Sequence, residues 1–236
     1  MSAAGGGQLA QQGATALAKR LVLRALPPGL AGRGADHHVA LTFDDGPDPA
    51  STPQFLALLD SLGWRATFFM LGSMVDRNPG LAAEVAAAGH DIGSHSYEHL
   101  HQTRRSPRAV RDDVTRSLEV IAEATGRAPR WFRPPGGGLS VGGLATTWRH
   151  HVRTVLWTAS GQDWQPWATP DSVAAHIERN LRGGATVLLH DSDCASVPGA
   201  WRATLGALPL LAEMIADRGL RVGPLTEHWR TSAAGE

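Results

Sequence analysis

Two adjacent carboxylates, Asp44 and Asp45, close the apolar run Val39-Ala-Leu-Thr-Phe43 and are followed at once by Gly46-Pro47. Neighbouring side chains of an extended segment point to opposite sides. One acid can then bind a cation while the other handles a proton. Gly46 and Pro47 turn the chain sharply beyond them.

Histidines supply the next donors. In Gly93-Ser-His95-Ser-Tyr-Glu-His99 two imidazoles stand four residues apart, the spacing that shares one face of a helical turn. An isolated pair of this kind is usually a surface feature. Joined by a carboxylate such as Asp45, it makes a His₂-Asp site for one divalent ion, with positions left for water. His90 and His101 flank the pair and are expected at the surface.

Three further segments carry chemistry-capable groups. Arg133-Pro-Pro-Gly136 follows Trp131-Phe132, and an arginine there can pair with a carboxylate and fix its geometry, as a general base requires. By itself the motif also fits an ordinary rigid connection. Asp163-Trp164 places an acid beside an indole, which suits a sugar groove; Trp164 and Trp167 fit equally as caps on a barrel rim. The run Thr186-Val-Leu-Leu189 ends at His190-Asp191, where a histidine at a strand mouth is either a general acid or a hydrogen-bonded rim residue.

The elements that must position these groups alternate between short apolar runs and amphipathic segments. Strands are expected at Val39–Phe43, Ala66–Met70, Asp91–Gly93, Trp131–Arg133, Thr154–Trp157, Ala185–Leu189 and, weakly, Leu220–Val222. That is about seven, most too apolar for a sheet with one wet face. Helical spacing links Phe55, Leu58, Leu59 and Leu62, then Val110, Val114, Leu118 and Ile121, while Ser106-Pro107 and Thr169-Pro170 read as helix starts. Leu205 to Ile215 reads as core. The expected architecture is an α/β barrel of parallel strands, and every candidate residue falls at or just after a strand's C-terminal end, the rim where barrel active sites assemble.

Composition narrows the alternatives. The chain has 236 residues, 42% of them hydrophobic, enough for one full core. Basic and acidic residues balance at 22 each, so nucleic acid is not an expected partner. Cys194 is the only cysteine, which leaves histidine and carboxylate as metal ligands. No transmembrane segment is visible, and without a convincing secretory signal the default expectation is a cytoplasmic location. Residues 1–36 are expected to form a flexible tail that includes the basic and apolar stretch Leu17-Ala-Lys-Arg-Leu-Val-Leu-Arg24, residues 37–230 the catalytic domain, and residues 231–236 a C-terminal tail.

Taken in order, these segments resemble the polysaccharide deacetylases of the NodB-homology type, carbohydrate esterase family 4. Thr42-Phe-Asp-Asp-Gly-Pro47 resembles the family's first motif, His95-Ser-Tyr-Glu-His99 the second, Arg133-Pro-Pro-Gly136 the third, Asp163-Trp164 the fourth and Leu188-Leu-His190-Asp191 the fifth. The resemblance implies a distorted (β/α) barrel that holds Zn²⁺, or another divalent ion such as Co²⁺, through Asp45, His95 and His99. It also implies Asp44 as general base, His190 as the acid protonating the leaving amine, Arg133 orienting Asp44 and Asp163 orienting His190. Pro135, Gly136, Trp164 and Leu188 would contact substrate, with Leu188 lining the acetyl-methyl pocket. The implied activity is metal-dependent removal of N-acetyl or O-acetyl groups from a carbohydrate, such as a chitooligosaccharide or peptidoglycan glycan. A different amide on the same fold, or a non-catalytic glycan-binding module, are the alternatives. Two positions depart from the pattern: Gly136-Gly-Gly138 stands where an aromatic commonly follows the prolines, and Ser160 where many relatives carry another acid.

Overall fold

A computed structural model describes residues 25–229. The chain runs α1 (Pro28–Ala31), β1 (His38–Asp44), α2 (Thr52–Ser61), β2 (Thr67–Met70), α3 (Gly72–Arg77), α4 (Pro79–Ala87) and β3 (Asp91–Ser94). It continues through α5 (Pro107–Thr125), β4 (Trp131–Phe132), α6 (Val141–Arg149), β5 (Arg153–Thr154), β6 (Ala159–Ser160), α7 (Pro170–Glu178), β7 (Thr186–His190), α8 (Trp201–Asp217), β8 (Arg221–Gly223) and α9 (Leu225–His228).

All strand pairs are parallel. The sheet order is β5-β4-β3-β2-β1-β7-β6, with β8 pairing the start of β1. Every residue of β1 and β2 is buried, as expected for strands covered on both faces. The helices begin and end where their residues dictate. At the head of α5 the Ser106 side chain accepts the Ala109 N–H, Pro107 occupies the first turn, and Gly126 closes the helix with φ +66°. Thr169 and Ser172 form a reciprocal capping box on α7. The main core gathers Phe43, Phe55, Leu59, Ile121, Ile177, Leu208 and Leu211 between sheet and helices.

One expected strand divides. Residues 154–157 do not form a single strand; β5 ends at Thr154 and a two-residue β6 follows at Ala159. These two strands are the opposite edges of the sheet. The barrel is therefore open between them, and residues 155–158 cross the gap. Val155 N–H bonds the Phe132 carbonyl, Leu156 N–H the Leu30 carbonyl and Thr158 N–H the Thr186 carbonyl. Leu30 belongs to α1, in the segment expected as tail. From Pro28 onward that segment is tied to the barrel: Ala31 is buried, and Gly34 and Ala35 donate to the Gly184 and His228 carbonyls. The Leu17–Arg24 stretch and residues 231–236 lie outside the described residues.

His90, expected at the surface, is buried, and its Nδ1 accepts the Ala66 N–H at 3.1 Å, which ties β2 to β3. Burial holds it neutral, with a pKa lowered to about 4. His101 is exposed as expected.

Candidate active site

The even-numbered residues of β1 face inward. In the parallel register Thr42 pairs with Leu188 and Asp44 with His190, so residues aligned on neighbouring strands share the inner face. The acid pair and the fifth-motif histidine thus meet by strand register alone.

Asp45 breaks the alternation expected of two adjacent acids. Its φ is +82°, a left-handed conformation that non-glycine residues seldom adopt. The chain turns before Asp45 can point outward, and both carboxylates reach one imidazole: Asp44 Oδ2 and Asp45 Oδ1 each lie 3.6 Å from His95 Nε2. His95 and His99 likewise do not share a helical turn. Residues 95–99 form a bend in which Ser96 has φ +74°, and this bend brings the two rings to 5.3 Å between centroids.

The structure places the donor atoms in one small cluster. Asp45 Oδ1 lies 3.7 Å from His99 Nε2, and the ligand atoms of Asp45, His95 and His99 all fall within 4.8 Å of one another. His95 Nδ1 stands 2.7 Å from the Arg133 carbonyl, which can only accept, so Nδ1 carries the proton and Nε2 presents a lone pair. Burial keeps the His95 and His99 rings neutral by lowering their pKa values. Asp45 Oδ1 is buried without a hydrogen-bond partner, and burial raises the Asp45 carboxyl. The His95 lone pair and His99 Nε2 both lie close to this unpartnered buried carboxylate oxygen, a donor set suited to a cation between them. The separations also suit one, since two ligands of a tetrahedral zinc-type ion stand ~3.3 Å apart.

Asp44 is held from the other side. Arg133, fully buried, donates from Nη1 to Asp44 Oδ1 at 2.7 Å and to Thr42 Oγ1 at 2.8 Å. Its remaining nitrogens donate to the Val155 and Leu156 carbonyls at 3.3 Å, and its guanidinium stacks 4.1 Å from the Phe69 ring centroid. Asp44 Oδ2 is left toward the cavity.

Across from it, His190 donates from Nδ1 to Asp163 Oδ1 at 3.0 Å, leaving Nε2 for a ligand. Asp163 Oδ2 accepts the His190 N–H at 2.7 Å and the Thr204 hydroxyl at 2.7 Å. Burial opposes the imidazolium, but the Asp163 charge and hydrogen bond, with Asp45 and Asp44 behind them, prevail and raise the pKa to about 10. The Asp163 carboxylate therefore favours the charged form of His190.

A cavity of about 250 Å³ joins these groups, lined by Asp44, Asp45, His95, His99, Gly136, Trp157, Trp164, Leu188, His190, Ala195 and Ser196. Pro135, next to Gly136 in the same turn, is buried. Trp164 meets the His190 ring edge to face at 5.4 Å. Gly136 and Gly137 have φ of +62° and +74°, and a Cβ on Gly137 would stand 2.8 Å from the Trp157 ring. The glycines thus admit an indole from the crossing segment, which walls the cavity where the third motif lacks an aromatic. Ser160 caps a local turn through a 3.4 Å bond from Gln162 N–H.

Sequence reasoning missed Thr204, Trp157, the loop residues Ala195 and Ser196, and Asp191. Buried Asp191 accepts from Thr52 Oγ1 at 2.6 Å and from Gly46 N–H at 3.2 Å, which braces the turn that carries Asp45. Burial pushes its pKa up to about 7. Its place directly after His190 was the available signal.

The sequence profile of the polysaccharide deacetylases matches residues 31–156. A peptidoglycan-N-acetylglucosamine deacetylase of Bacillus cereus is 41% identical over 155 residues, 65% of this chain and 72% of the relative. A chitooligosaccharide deacetylase of a Bradyrhizobium species is 34% identical over 201 residues, covering 80% and 89% of the two chains. Among solved structures, a CE4 family pseudoenzyme from Bacillus anthracis superposes with a TM-score of 0.76 at 28% identity, covering 87% of this chain and 70% of that one.

The buried Arg133–Asp44 pair generates a prediction. Replacing Arg133 by Met leaves Asp44 buried and unpaired, so the urea midpoint should fall by the equivalent of about 3–5 kcal/mol. An unchanged midpoint would show that the pair does not hold this rim together.

Profile, relatives and geometry agree: the chain belongs to the polysaccharide deacetylase family.

Proposed function

We propose that this protein hydrolyses the N-acetyl group of N-acetylglucosamine units in a glycan of the peptidoglycan or chitooligosaccharide type. The observation that carries this reading is the single cavity in which two carboxylates, two neutral imidazoles and one carboxylate-paired imidazole face each other between two indoles. Resemblance of fold alone does not suffice, because a pseudoenzyme shares it. The residues of this chain argue for activity, since the cation cluster, the arginine-held acid and the acid-held histidine are all in place.

Asp45, His95 and His99 would hold a divalent cation, and their nitrogen and oxygen donors suit Zn²⁺ first and Co²⁺ second. When bound, such an ion supplies Lewis acidity, polarising the acetyl carbonyl and making water more acidic. Asp44, fixed by Arg133 and open at Oδ2, takes the proton of the attacking water as the new C–O bond forms. The N–H of Gly136 is the backbone donor we assign to the developing oxyanion. His190 delivers its Nε2 proton to the sugar nitrogen as the C–N bond breaks, releasing acetate and a free amine. An amide nitrogen leaves only when protonated, and His190 is placed to supply that proton. Leu188 faces the acetyl methyl, and Trp157 and Trp164 offer their rings to the sugar.

Acetate release from chitooligosaccharides and peptidoglycan by the zinc-loaded protein is the direct test, with Asp44→Asn expected to lose at least about 10²-fold in kcat. No acetate from either substrate, or an Asp44→Asn variant as active as the parent, would contradict the reading. The His190–Asp163 pair predicts a pH effect. Because Asp163 raises the His190 pKa, Asp163→Asn should move the alkaline limb of kcat to lower pH, together with the His190 ring titration followed by NMR. An alkaline limb unmoved in that variant would remove His190 as the proton donor.

A further inference from the structure

The chain is neutral overall, yet residues 124–162 contain five arginines and no aspartate or glutamate. Arg133 is committed to the catalytic rim. The other four, Arg127, Arg130, Arg149 and Arg153, are exposed, and none forms an ion pair among the described residues. A cavity of about 500 Å³ at the strand N-terminal end gathers Arg130, His150, His151 and Arg153 around Trp131 and Trp229. Asp91, the carboxylate beneath, accepts Trp131 Nε1–H and the N–H and hydroxyl of Thr226, all on Oδ2, and forms no ion pair with these arginines among the described residues.

α6 leads into this cluster with an unusual outer face. Val141, Leu144, Ala145 and Trp148 recur at i, i+3, i+4 and i+7 and are all exposed. Val141 is 84% exposed and Trp148 78%, and α6 supplies three of the six exposed large hydrophobics among the described residues. The stripe runs along the helix to Arg149. An adjoining cavity shares Arg153 and Trp229 and is lined by Pro28, Gly29 and Leu30, which places the chain's entry into the described residues beside the same cluster. Just upstream in sequence are Lys19, Arg20 and Arg24 among Leu17, Leu21, Val22 and Leu23.

We infer that α6 and the arginine cluster behind it form a docking face for an anionic lipid bilayer. A phosphate or carboxylate polymer would satisfy the arginines but would leave Val141, Leu144 and Trp148 in water. A bilayer surface takes both, with apolar side chains and an indole entering the interface and the arginines meeting headgroup phosphates. The face is separate from the catalytic residues and does not depend on the deacetylase reading.

Co-sedimentation of the full chain with vesicles tests it. Binding is expected to phosphatidylcholine vesicles containing phosphatidylglycerol, weakening as salt is added, and not to phosphatidylcholine alone. Arg149→Glu/Arg153→Glu should weaken binding by about tenfold or more, and Trp148→Ser by several-fold, while both variants keep their acetate release from soluble chitooligosaccharides. Equal binding to both vesicle types overturns the inference. So does full binding by the charge-reversed variant when replacing Lys19, Arg20 and Arg24 by Gln abolishes it. A dimer in solution that Trp148→Ser dissociates would make the stripe a contact between copies and overturn it as well.

Discussion

The buried ion pair between Arg133 and Asp44 is the constraint on which the rest of this structure depends. Burying a guanidinium costs several kcal/mol unless it is paired and hydrogen-bonded, and here all three of its nitrogens donate, two of them to the segment that crosses the open edge of the barrel. One arm grips β1 through Asp44 and Thr42, and the other grips the carbonyls of Val155 and Leu156 where the chain crosses the open edge. The same side chain therefore closes the fold and fixes one oxygen of an acid at the cavity floor. Its own carbonyl sets the tautomer of His95, so that a single residue organises both the acid and a cation ligand.

The division of labour between Asp44 and Asp45 follows from unequal surroundings. Asp44 has a permanent cation at its back. Asp45 has none: its Oδ1 is buried, unpartnered and within 3.7 Å of the Nε2 atoms of His95 and His99. The left-handed turn at Asp45 costs of order 1–3 kcal/mol, and Asp191 braces the segment that carries it. An acid held this way, without hydrogen bonds of its own, is suited to a metal ion.

Much of this was legible in the residues. Apolar runs ending in polar residues gave the parallel strands, and one-rim clustering brought Asp44, Arg133, Asp163 and His190 together as expected. The sequence argument for why the acids differ did not survive, because alternation presumes an extended chain and Asp45 is not extended. Thr154–Trp157 reads as a strand because Val155 and Leu156 are as apolar as any strand; what bends the chain after Thr154 is tertiary, the need to span two sheet edges. Pro28–Ala35 looked like tail by composition, and its order comes from long-range bonds to Leu156, Gly184 and His228 that no local pattern encodes. His90 is buried for the same reason, since its partner is the backbone amide of Ala66, 24 residues away, just ahead of β2. Trp157 over Gly137 shows the converse, a missing aromatic in one motif compensated from a distant segment.

Metal content measured beside activity tests the central claim most directly. Asp44→Asn and Asp45→Asn differ by one position and remove one charge each, and both can be purified, loaded with zinc and assayed for bound ion. Asp44→Asn should keep stoichiometric zinc and lose acetate release, whereas Asp45→Asn should lose both. Zinc lost from Asp44→Asn but kept by Asp45→Asn would contradict the assignment of the two acids.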